Sequence, residues 1–322
     1  MKIYRNMSED GKEETYGRLF CSQELTTGIH GYLIFLSVFN FLLAICSSLG
    51  NILILIALHK ETSLHPPSKL FLRSLATTDL LVGVISEPLT ITYWISAVRK
   101  RWDECYITFF TSIIVGYLLC GISLLTLTAI SVDRLLALSL KLRYKQIVTL
   151  NRARAIVLVF WIFCIVCSVM HAHNSRITTW YTHITILVCF LTSVSSYTTI
   201  FWKLHRHETQ VRGNIIQPER SNISSSGPLN ISQYRKGVFS VMCLQLAVAV
   251  CYFPHGITTA LWTYSGQSSA TIVLRQFTVT LVYVNSTLNP LLYCWKIREV
   301  RQSVKEIIRE TLCCPQVTRL EP

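Results

Sequence analysis

Asn289-Pro290-Leu291-Leu292-Tyr293 closes the last apolar stretch of this chain, just ahead of a basic, amphipathic tail. A proline removes a backbone donor, and inside a membrane helix the carbonyls it frees must be satisfied by neighbouring polar groups. Far upstream, Asp133-Arg134 stands at the end of another apolar stretch. Charge is tolerated there only where a water-filled crevice receives it. Read together, the two features place polar, function-bearing positions inside a bundle of membrane helices.

Working outward, the chain has 322 residues, 51% of them hydrophobic and only 15% charged, against about 25% charged in a soluble domain. Runs free of Asp, Glu, Lys and Arg extend over Leu25–His59, Cys105–Val132, Ala155–Ser175, Ile177–Trp202, Gly237–Leu274 and Gln276–Trp295. Ser74–Val98 adds another, interrupted by Asp79 and Glu87. Each exceeds or approaches the roughly 20 residues a span requires. The expected fold is all-α and membrane-embedded, with spans near 31–58, 69–97, 105–139, 153–173, 179–205, 236–264 and 271–295. Residues 1–30 form an outer N-terminal segment, 31–295 the bundle and 296–322 a cytoplasmic helix and tail. The polar start contains no apolar run, so the first span is expected to serve as its own signal anchor. The linker 205–233, with Gly213, Pro218 and Gly227-Pro228, reads as a flexible inner loop.

With the N-terminus outside, the inner loops and tail hold 21 of the 30 Lys and Arg residues. That asymmetry fixes an N-out, C-in orientation. The net charge of +13 is therefore a topology signal directed at anionic lipid, and nucleic acid is not an expected partner. Most of the 12 cysteines fall inside apolar spans, where Cys acts as a small hydrophobe. No CxxC pair has a second ligand pair, so no metal centre is expected beyond a sodium ion. For that ion the candidate is Asp79, a carboxylate in mid-span that needs a partner or a cavity. Ser123, Asn285, Ser286 and Asn289 are oxygen-bearing and suit a monovalent cation or ordered water. A carboxylate held by hydrogen bonds alone is the alternative.

In order and spacing, the chain resembles a rhodopsin-like (class A) G-protein-coupled receptor. The resemblance rests on Gly50-Asn51, Leu75 to Asp79, Asp133-Arg134-Leu135, Trp161, Tyr197, Cys251-Tyr252-Phe253-Pro254 and Asn289 to Tyr293. It implies that Arg134 rests beside Asp133 and turns to a heterotrimeric G-protein when the sixth span swings out. Tyr197 and Tyr293 would stabilise that open state, and Asp79, Ser123, Asn285 and Asn289 would hold the family's sodium ion, which favours rest. Tyr252 replaces the usual Trp before Pro254, Cys189 the usual fifth-span Pro, and Val248 a common Phe. Tyr234 stands where a Glu would lock the Arg.

The resemblance names no ligand. An amine receptor has an Asp where this chain has Gly116, and a retinal protein has a Lys where it has Tyr283. Candidate pocket residues by position are Glu87, Tyr117, Cys120, His255, Thr259, Trp262 and Tyr283. Glu87 either pairs a cationic ligand or is a solvated rim carboxylate paired to Arg275 or a loop Arg. The short outer loop without Cys is similar to that of melanocortin, lysophospholipid or cannabinoid-type receptors. The family's usual bridge to that loop cannot form, because residues 170–184 contain no Cys. Cys105, 29 residues before Arg134, is instead expected to pair with Cys21 or to remain a free thiol.

In the tail, Ile297, Val300, Val304 and Ile308 recur at helical spacing opposite basic residues, as in a short amphipathic eighth helix on the membrane surface. Cys313-Cys314 are expected to be palmitoylated and Asn6 glycosylated. The resulting expectation is a plasma-membrane receptor that converts binding of an unidentified extracellular ligand into G-protein activation. It is not expected to be an enzyme, since no nucleophile–base pair converges. A seven-helix transporter or channel is the alternative; it would line several spans with polar residues and carry inverted repeats.

Overall fold

The computed structural model describes residues 21–26, 28–173, 175–216, 246–261, 268–296 and 298–312. Asn6, Trp262, Ile297, Cys313 and Cys314 lie outside them. The principal helices, numbered in chain order, are α1 (His30–Lys60), α2 (Pro66–Val98), α3 (Trp102–Leu140), α4 (Leu150–His173), α5 (Ser175–Ile216), α6 (Leu246–Leu261), α7 (Ser269–Lys296) and α8 (Arg298–Leu312). The first five are each long and apolar enough to cross a membrane. In α7 the inward stripe Asn285, Ser286 and Asn289 dilutes the hydropathy of a helix 28 residues long.

The bundle is inverted relative to a soluble core. Large apolar side chains such as Phe35, Leu42, Leu158, Val159 and Leu187 are exposed, whereas Asn40, Asn51, Thr78, Asp79, Ser123 and Asn289 are buried. Lipid solvates the outer faces, so polar groups gain only by turning inward towards one another. Helix α3 lies at the centre against α2, α4 and α5, and α1 packs on α2, α7 and α8.

Local sequence accounts for the helix ends and bends. Pro66-Pro67 open α2, where a missing N–H costs nothing. Further along, Val82–Ser86 form a wide π-type turn that continues into Glu87–Val98. Gly83 sits in that turn; a Cβ there would lie 2.8 Å from Ser48 Oγ and 3.0 Å from the Ala44 carbonyl, so only glycine allows this approach to α1. Gly50 plays the same part against α7, where a Cβ would stand 3.0 Å from Pro290 Cγ.

Three expectations are corrected. Helix α5 continues to Ile216, into the stretch expected to be a loop. Glu208, Gln210 and Arg212 favour helix, and no proline intervenes before Pro218. In α8, Ile307 and not Ile308 faces inward: Val300, Val304 and Ile307 join the core cluster, while Ile308 is exposed. The docking surface on α1 selects the i, i+4, i+7 row. Glu87 is fully buried instead of lying at a solvated rim, because the wide turn before it shifts its facing relative to an unbroken helix.

At the outer end, Cys21 and Cys105 form a disulfide with Cα atoms 5.8 Å apart, spanning 84 residues. The bridge lies in a cluster with Ile29, Tyr93, Trp94 and Phe109, which holds the segment before α1 against the outer ends of α2 and α3.

Candidate functional site

Three layers of polar chemistry run through the bundle. The middle one centres on Asp79. Its Oδ1 accepts from Ser123 Oγ at 3.0 Å and Ser286 Oγ at 2.9 Å, and its Oδ2 from Asn289 Nδ2 at 2.7 Å. These donors come from α3 and α7 and meet a carboxylate on α2. Asn285 is buried but makes no hydrogen bond through its side chain, so four of the five expected residues converge and Asn285 does not bond to them. The side-chain oxygens of Asn51, Asn285 and Asn289 are buried without a donor. The Asp79 carboxylate and the hydroxyls of Ser123 and Ser286, which do meet, are oxygen groups of the kind that suit a hard monovalent cation.

The proline of α7 is served from α1. Pro290 cannot donate to the Ser286 carbonyl; Asn51 Nδ2 donates to it at 3.2 Å and to the Ser47 carbonyl at 2.8 Å. Ser47 Oγ in turn donates to the Asp79 carbonyl at 3.1 Å. The Gly-Asn pair of α1, the carboxylate of α2 and the proline of α7 therefore form one connected unit.

The inner layer lies around Asp133 and Arg134 at the end of α3. Asp133 does not rest against Arg134, contrary to the expected arrangement. Its Oδ2 accepts from Ser68 Oγ at 2.7 Å, and its Oδ1 from the hydroxyl of Tyr144 at 2.6 Å. Tyr144 belongs to the helical turn Tyr144–Ile147 that follows α3, and its ring packs on His65 with centroids 4.9 Å apart. With both carboxylate oxygens engaged elsewhere, Arg134 remains half-buried within electrostatic reach of Tyr144 and Tyr197. Tyr197 donates to Ser131 Oγ at 2.6 Å. Tyr293 is buried nearby, with its hydroxyl unpartnered.

The outer layer is a cavity of about 120 Å³ between α2, α3, α4, α5, α6 and α7. Of the residues expected there, Tyr117, Cys120, His255 and Tyr283 line it, while Glu87 and Thr259 do not. Neither carboxylate oxygen of Glu87 has a hydrogen-bond partner. The Tyr283 hydroxyl lies 3.1 Å from Ser86 Oγ and 2.9 Å from Thr90 Oγ1. Sequence reasoning missed Arg275 and Gln276 as lining residues.

The cavity and the inner core meet at Tyr252. Its hydroxyl donates to the Cys120 carbonyl at 3.3 Å, its ring lines the cavity, and it belongs to the core cluster that holds Leu124, Cys189, Val248 and Tyr293. Pro254 lies one turn of α6 beyond Cys251. His183 of α5 reaches α6 through the Gly256 carbonyl, 2.8 Å from Nε2.

The model of the "7 transmembrane receptor (rhodopsin family)" matches residues 50–189 and 171–293. Melanocortin receptor 4 of Danio rerio is 28% identical over 284 residues, covering 84% of this chain and 82% of its own length. The histamine H2 receptor of Cavia porcellus is 26% identical over 306 residues, covering 88% and 80%. Adenosine receptor A2a of Canis lupus familiaris is 26% identical over 307 residues, covering 83% and 70%.

Proposed function

The chain belongs to the seven-transmembrane receptors of the rhodopsin family, and from that premise we propose how its three polar layers signal. It is a multi-pass membrane protein and a G-protein-coupled receptor, neither an enzyme nor a transporter. In the proposed mechanism an extracellular ligand occupies the cavity, with the N-terminus outside and the protein in the plasma membrane. A heterotrimeric G-protein docks at the inner end against Arg134. The relatives are named for different ligands, and none of those ligands carries over at these identities.

The observation that carries this reading is the double membership of Tyr252, in the cavity wall and in the inner core. A ligand that contacts it differently in two arrangements of α6 shifts the population between them. Outward displacement of α6 opens the inner end, where Tyr197 lies within electrostatic reach of Arg134, and Tyr293 turns to support the open arrangement. The Asp79 cluster joins α2, α3 and α7 in the present arrangement, and a sodium ion bound there favours rest. Palmitoylation at Cys313 and Cys314 and glycosylation at Asn6 belong to the same proposal.

The test is nucleotide exchange on a panel of purified heterotrimers by the full-length receptor in lipid nanodiscs. Exchange above the receptor-free rate on at least one heterotrimer supports the reading. Receptor-free rates across the panel, with and without a broad ligand library, contradict it.

A further inference from the structure

The cavity that the receptor reading assigns to the ligand has two buried polar side-chain atoms in its wall that lack partners. Most of that wall is apolar or aromatic, including Phe109, Ile113, Leu124, Ile186 and Val279. Several of its polar groups are already satisfied. The Thr90 and Tyr283 hydroxyls lie 2.9 Å apart, Ser112 Oγ donates to the Phe109 carbonyl at 2.8 Å, and Tyr252 reaches the Cys120 carbonyl. Gln276 Nε2 and Ser168 Oγ are not: both are buried, and neither has a hydrogen-bond partner.

Gln276 lies on α7 and is 3% exposed. Its Oε1 accepts from Trp94 Nε1 at 3.1 Å. The indole nitrogen can only donate, so this contact fixes which end of the amide is oxygen, and Nε2 is a buried donor with no acceptor. Ser168 lies on α4 and is 2% exposed; its hydroxyl can both donate and accept. Helix α4 packs on α2, α3 and α5, whereas α7 packs on α1, α2 and α8, so the two groups reach the cavity from separate sides of the bundle. A buried polar atom without a partner is costly, and a ligand that supplies the partner relieves that cost.

We infer that this cavity binds a small uncharged molecule with an apolar or aromatic body, which accepts from Gln276 Nε2 through a carbonyl oxygen and bonds Ser168 Oγ through a hydroxyl. The inference rests on the receptor reading for the cavity's role and adds the class of its ligand. An amide N–H and a hydroxyl are neutral groups, and a carbonyl and a hydroxyl complete them without burying a charge. An ammonium would meet no Asp or Glu in the wall among the described residues. Arg275, also in the wall, is already engaged, in part with the Tyr117 hydroxyl and the Phe109 ring. At about 10–15 Å³ per water-sized position, 120 Å³ accommodates a molecule of roughly ten non-hydrogen atoms.

The test is direct binding to the purified full-length receptor in nanodiscs without G-protein, read by thermal shift and titration. The probe is 4-(4-hydroxyphenyl)butan-2-one, a hydroxyketone. It is compared with 4-phenylbutan-2-one, which lacks the hydroxyl, and 4-butylphenol, which lacks the carbonyl. Charged counterparts are 3-(4-hydroxyphenyl)propionate and 3-(4-hydroxyphenyl)propylamine. The expected result is saturable binding of the hydroxyketone, with each of the four others weaker by severalfold to about tenfold, the loss when one neutral hydrogen bond goes unmade. In Gln276→Leu the advantage of the carbonyl disappears and that of the hydroxyl remains; in Ser168→Ala the reverse holds. If Gln276→Leu, which also strips Trp94 Nε1 of its acceptor, fails to fold, Ser168→Ala and the probe series carry the comparison. No saturable binding of the hydroxyketone, no loss on removing either polar group, a charged counterpart binding more tightly, or advantages that persist in the variants overturns the inference. Because no G-protein is present, failure of nucleotide exchange is a separate result and bears only on the signalling reading.

Discussion

Asn51 Nδ2 of α1 donates at 3.2 Å to the Ser286 carbonyl of α7, the acceptor that Pro290 leaves without its helical donor. An unsatisfied buried carbonyl costs about 1–3 kcal/mol, so Asn51→Ala is expected to destabilise the solubilised receptor by about that amount. Pro290→Ala restores the missing N–H, and in that background Asn51→Ala costs less, with a coupling of about 0.5–3 kcal/mol. Thermal melts of the four proteins in the cycle check this. Additive effects would mean that Asn51 does not serve the carbonyl Pro290 vacates.

Tyr144→Phe removes the hydroxyl that occupies Asp133 Oδ1 at 2.6 Å and leaves the ring contact with His65 in place. A hydrogen bond to a charged group contributes about 1.5–3 kcal/mol. Its loss frees Asp133 to hold Arg134, and G-protein activation is expected to fall severalfold at matched surface level. Unchanged or increased activation in a concentration–response assay contradicts this coupling.

Asp79→Asn removes the charge at the middle layer while preserving its shape. Ser123 and Ser286 still find an acceptor oxygen, and Asn289 Oδ1, now unpartnered, can accept from the new amide after a flip. The expected outcome is a folded receptor whose signalling no longer responds to sodium exchanged for a large organic cation. Equal sodium sensitivity in parent and variant would leave Asp79 as a hydrogen-bonded carboxylate only.

The spans were legible because lipid enforces long charge-free runs, and observed helices such as α1 and α2 begin and end within a few residues of expectation. The Asp79 cluster was legible because a carboxylate in mid-span must draw hydrogen-bonding partners from neighbouring spans. Position alone did not show that Val82–Ser86 wind into a wider turn, which is why Glu87 is buried and absent from the cavity wall. Nor did it show that Ser68, 65 residues away, and Tyr144 would take both oxygens of Asp133; such long-range pairs leave no periodic trace. Arg275 does carry a signal in the sequence, as the single Lys or Arg between Lys236 and Lys296. A lone cation in so long an apolar run marks a polar cavity or a charge partner.

The central claim is that Arg134, freed from Asp133 at the inner end of α3, is the group that engages the G-protein. Its most direct test is nucleotide exchange by Arg134→Ala and parent receptors at equal surface expression and equal thermal stability. The account predicts that the variant falls to the receptor-free exchange rate. Exchange at the parent's rate in Arg134→Ala would contradict it.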